Sequence, residues 1–151
     1  MSETASQPSY GYPLNRRVEF VESIKLFFGN YVNFKGRSSR GAFWWWTLAS
    51  MLIGAVLGVA DGLLFGWEET DLELFSGLFG LATFLPNLAI SVRRLHDVGR
   101  SGWWLLLVLT IIGVLVLLFW WVQAGERETN KYGPDIEAGK SGADQIAATF
   151  N

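Results

Sequence analysis

The sequence predicts an all-α polytopic membrane protein, with three transmembrane helices entered through an N-terminal amphipathic interfacial helix. Three observations predict it: long apolar runs at 42–66, 74–92 and 103–122, tryptophans at the ends of the first and third, and sharply segregated charge. Half of the 151 residues are hydrophobic and 17% are charged, against roughly a quarter charged in soluble domains. A soluble bundle would not be apolar all round over three such lengths. The length fits one domain, read as an N-terminal tail 1–17, a membrane domain 18–135 and a C-terminal tail 136–151.

The opening residues are rich in Ser, Gln, Pro, Tyr and Gly without apolar periodicity, and predict disorder. They lack the basic start and apolar core of a cleaved signal peptide. Over 19–31, Phe20, Ile24, Phe27 and Tyr31 recur at spacings of four, three and four, the period of an amphipathic helix. Such a helix either packs on the rest of the chain or lies in the membrane interface with its aromatics in lipid. Both readings stay open.

Asn33 to Gly41 form a basic, Gly-containing turn, and the first span, 42–66, follows with Asp61 as its only charge. Its 25 residues make a helix of about 37 Å, enough to cross a bilayer with some tilt. Trp44-Trp45-Trp46 and Trp67 mark its ends as an aromatic belt does. Ser50, Gly54, Gly58, Gly62 and Gly66 recur every fourth residue, a small face that lets another helix approach closely. That partner is either a helix of this chain or a second copy. An acidic connection, Glu68, Glu69, Asp71 and Glu73, leads to the second span, 74–92, interrupted at Pro86-Asn87. In a membrane helix, neighbours re-satisfy the carbonyl that proline frees. A polar hinge, 93–102, precedes the third span, 103–122, with Trp103-Trp104 and Trp120-Trp121 at its ends.

The N-terminal flank and the hinge hold nine of the twelve Lys and Arg residues, and the loop between the first two spans holds none. Because positive flanks stay inside, the N-terminus and hinge are expected in the cytoplasm and the C-terminus outside. The overall charge of −2 argues against nucleic-acid binding.

Arg37, Arg40, Arg93, Arg94, His96, Asp97 and Arg100 then gather at the cytoplasmic interface. Guanidinium forks match phosphate oxygens, and anionic lipids line that leaflet, so this set is read as a headgroup or anion site. The plainer reading is that the arginines set topology and that Asp97 pairs with a neighbouring arginine. One His and no Cys cannot supply a metal's ligands, and no catalytic residue, metal or cofactor is assigned. Asp61, as an intramembrane carboxylate, suggests proton or cation handling in an oligomeric transporter, or else a hydrated interfacial Asp. Its depth does not match Asn87, so the two are not paired. Gly133 through Gly139-Lys140-Ser141 is one residue too long for a phosphate-binding loop and contains Pro134.

Phe34-Lys35-Gly36-Arg37-Ser38-Ser39-Arg40 with Phe43-Trp44-Trp45 resembles the opening motif of a bacterial inner-membrane family catalogued as domain of unknown function 805. Pro86, Arg93-Arg94-Leu95-His96-Asp97 and Ser101-Gly102-Trp103-Trp104 resemble its central motif, and Asn130-Lys131-Tyr132-Gly133-Pro134 its closing one. Gly41-Ala42 stands where many members carry a polar or acidic pair. The resemblance implies bacterial inner-membrane location and helical architecture, and it supplies no reaction. The expected function is non-enzymatic, with an arginine-rich cytoplasmic face for anionic lipid headgroups or a partner, and with self-association through Gly54, Gly58 and Gly62. An enzyme acting on lipid phosphates through His96 and Asp97 is the weaker alternative.

Overall fold

A computed structural model describes residues 18–66 and 73–134; the expected disordered tails and most of the acidic connection lie outside them. The described residues are helical: α1 (Phe20–Gly29), α2 (Arg40–Phe65), α3 (Leu74–Asp97), a 3₁₀ helix (Gly102–Leu109) and α4 (Ile111–Val122).

α1 lays Ser23, Leu26 and Phe27 against the bundle, with the Phe27 ring stacked on Trp46 at 3.5 Å. α2 starts where the Ser39 hydroxyl accepts from the Ala42 N–H, a normal N-cap. The packed core, Phe27, Phe43, Trp46, Ala49 and Ile90, sits at the end where α2 begins and α3 finishes. Away from it, α2 shows lipid-type side chains outward, Met51, Val56 and Leu63 being 68–75% exposed. Among the described residues, only α2 and α3 are long and apolar enough to cross a membrane, and most of each apolar stretch faces out of the protein. Outward-facing apolar surface of this extent suits lipid better than water.

Proline inside α3 removes one intrahelical donor and frees the carbonyl four residues back. That carbonyl belongs to Ala82, and the Tyr31 hydroxyl from the end of α1 donates to it. α3 also runs through the first half of the expected hinge. Arg93 to Asp97 form its last turn, and all five are buried. The reversal comes only at Gly99, with φ +70°, where glycine carries no steric penalty.

The expected single helix over 103–122 does not form. The chain makes the 3₁₀ helix, breaks at Thr110 in extended conformation, and restarts as α4. The Thr110 hydroxyl accepts from the Gly113 N–H and so caps a new helix. A Cβ at Gly113 would run into the Leu107 carbonyl, so glycine permits the tight reversal. The two limbs lie side by side, with Trp104 and Trp120 edge to face at 5.5 Å. Both ends of the third run therefore sit at one end of the protein. The segment after α4 returns to the last turn of α3, opposite to the separation expected between hinge and C-terminal part.

Candidate functional site

Three remote segments meet at the end of α3. Asp97 is 3% exposed and uses both carboxylate oxygens: Arg37 Nε donates to Oδ1 at 2.8 Å, and Arg94 Nη1 pairs with Oδ2. The expected pairing with a neighbouring arginine is present, and Arg37 joins it from sixty residues away. Fully buried ions persist only when paired and hydrogen-bonded, and here the protein backbone completes the bonding. Arg37 also donates to the Glu128 carbonyl at 2.8 Å and to that of Glu126. Arg94 donates to the Trp121 carbonyl at 3.1 Å and to that of Gln123. These are carbonyls at and beyond the end of α4, which an α-helix leaves without internal donors. Arg94 thus caps α4 while holding Asp97.

Residues 123–134 form a strap across this knot. The Glu126 N–H donates to the Asp97 carbonyl at 2.8 Å, and a Cβ at Gly125 would collide with the Asp97 carboxylate. His96 stacks on Tyr132 at 3.8 Å, 4° from parallel. Its Nδ1 lies 3.0 Å from the Gly36 carbonyl; a carbonyl only accepts, so this nitrogen carries the proton. Asn130 Nδ2 donates to the His96 carbonyl at 2.9 Å and to Glu126 Oε2 at 2.7 Å. Arg93 is buried with its Nε 3.3 Å from the Ala89 carbonyl, and its own carbonyl accepts from the Ser38 N–H.

The sequence-predicted set therefore divides. Arg37, Arg93, Arg94, His96 and Asp97 lie inside the protein, whereas Arg40 and Arg100 are exposed. Arg100 sits over the Trp120 ring at 5.0 Å. Among the described residues, no three His, Asp or Glu side chains group as metal ligands.

Asp61 lies at the other end of the bundle, against the start of α3. It accepts from the Phe75 and Ser76 N–H groups at 2.8 Å each and from the Ser76 hydroxyl at 2.7 Å. It is an N-cap for α3 supplied by α2, satisfying donors that the first turn leaves open. Asn87 instead accepts from Trp46 Nε1 at 2.7 Å. On the small face of α2, Ser50 bonds to the Thr47 carbonyl, Gly62 is half-buried, and Gly66 ends the helix with φ +84°. Cβ atoms at Gly54 and Gly58 would meet nothing within 4 Å, so none of the described helices packs closely there.

Taken one residue at a time, the sequence does not mark Tyr31, Gly125 and Tyr132 for these roles. Their signals lie in partners: Pro86 demands a donor for Ala82, and the closing motif groups Asn130 with Tyr132.

The family profile described as "Protein of unknown function (DUF805)" matches residues 31–134, bounded by the Tyr31 tie and the end of the strap. The inner membrane protein YhaI of Escherichia coli is 44% identical over 113 residues, covering 74% of this chain and 92% of its own. The inner membrane protein YhaH is 40% identical over 108 residues, 70% and 88% of the two chains. The uncharacterized protein YiiR is 30% identical over 143 residues, 74% and 91%. No solved structure matches. With its profile match over most of the chain and relatives this similar along most of both lengths, the chain belongs to the DUF805 family.

Proposed function

We propose that this chain is a non-enzymatic integral protein of the bacterial inner membrane whose cytoplasmic end contacts anionic phospholipid headgroups through Arg40 and Arg100. α2 and α3 cross the bilayer, and the 3₁₀ helix with α4 forms a hairpin that enters and leaves on the cytoplasmic side. The relatives' names support the location. Orientation follows from charge: Arg127 and Lys131 join the cations of the hinge end, and the opposite connection has none. α1 suits the interface, since Val21 and Phe28 project outward at 61% and 51% exposure beside Lys25.

The observation that carries the headgroup reading is the sorting of the arginines. The knot has taken Arg37 and Arg94 for protein acceptors, while Arg40 and Arg100 stay exposed, Arg100 over the Trp120 ring. Exposed guanidinium at that level is placed for lipid phosphate.

Native mass spectrometry of the detergent-purified chain beside the Arg40→Gln, Arg100→Gln variant tests it. Anionic phospholipid should stay on the wild type and leave the variant, with the unfolding temperature unchanged. Equal retention by both would overturn the headgroup reading.

A further inference from the structure

We infer that a second copy of this chain docks on α3, held by a reciprocal hydrogen bond between the two Asn87 carboxamides. Asn87 Oδ1 accepts from Trp46 Nε1, and among the described residues Asn87 Nδ2 has no acceptor. The residue stands five positions before Val92, about 7.5 Å deeper along α3. An amide donor without an acceptor is costly in hydrocarbon, and Asn side chains there bond across helices. The side chain is only half-buried, so it reaches the surface of the monomer. A carboxamide is self-complementary: it has two donors and, after Trp46, one lone pair left on Oδ1. Two copies about a two-fold axis give each other one donor and one acceptor.

The surroundings of Asn87 fit a helix partner. Gly77, Gly80, Phe84, Asn87 and Ser91 follow spacings of three, four, three and four, the seam of a left-handed helix pair. Cβ atoms at Gly77 and Gly80 would meet nothing within 4 Å, and Phe84 is 60% exposed. The seam is open over Gly77, Gly80 and Phe84, so a second backbone can come close there. The glycine face of α2 lacks the corresponding polar demand, because Ser50 and Asp61 are satisfied within the chain.

This inference rests on α3 crossing the membrane, which alkaline carbonate extraction tests separately: a chain released by carbonate sinks the membrane reading itself. The dimer is tested on chains that stay. Native mass spectrometry of the full chain in mild detergent should show a dimer. Gly80→Leu, at an open position, should weaken it at least about tenfold while leaving the monomer's unfolding temperature unchanged. The natural chain has no Cys, so Ser91→Cys should cross-link in native membranes, whereas Leu78→Cys, off the seam and 57% exposed, should not. A chain monomeric at every concentration, or a dimer indifferent to Gly80→Leu, would overturn the proposal. So would a monomer carrying one phospholipid that Asn87→Leu releases, since lipid would then be the acceptor.

Discussion

Tyr31 and Pro86 act as one unit although fifty-five positions separate them in the sequence. The proline frees the Ala82 carbonyl and the tyrosine hydroxyl occupies it. Tyr31→Phe should therefore lower stability by about 1 kcal/mol, the usual net worth of a hydrogen bond. In a Pro86→Ala background the restored N–H serves Ala82, and the loss should vanish. A double-mutant cycle on unfolding in detergent reads the coupling; additive effects would separate the two residues. Asp61 is a second case. Asp61→Ala removes a cap and should cost about 1 kcal/mol, while Asp61→Asn should keep most of the stability, because Asn caps about as well as Asp. If Asn were as damaging as Ala in thermal unfolding, the charge would matter beyond the cap. The sequence shows how deep the Asp61 carboxylate lies but not which helix end it faces.

At the scale of elements, the strap is held by charge and by one close approach. Asp97 is the anion shared by two buried guanidiniums, and removing one partner of a buried ion network typically costs about 3–5 kcal/mol. Asp97→Ala should accordingly cut the amount of folded protein recovered from membranes, whereas Arg40→Gln should not. Gly125→Ala forces a methyl group onto the Asp97 carboxylate and should loosen the strap without touching the spans. Trypsin cleavage after Arg127 should speed up several-fold in that variant, and an unchanged rate would show that the strap yields locally. The sequence marked Arg37, Arg94, His96 and Asp97 as belonging together. It could not show that they turn inward, since burial here depends on the strap's carbonyls arriving from beyond α4.

For the whole molecule, the contested feature is the third apolar run. Its length and paired tryptophans equal those of a span, yet Thr110 and Gly113 fold it back on itself. Both tails should then lie on one side of the membrane. Single cysteines at Ser6 and Ser141 should be labelled from the cytoplasmic side alone by a membrane-impermeant thiol reagent; labelling of Ser141→Cys from the outside would restore a third crossing. By itself, the sequence determined that the protein is helical, that two of its three apolar runs form long helices, where the first helix starts, and which residue types gather at the cationic end. Those properties follow from composition, period and charge, which are local or additive along the chain. Tertiary structure alone decided which arginines are buried, what Asp61 caps, and that the third run returns to its starting end. The arginines depend on acceptors far along the chain, Asp61 on the start of the next helix and the third run on how its two limbs pack, and the same residues would read alike in sequence whether those partners arrived or not.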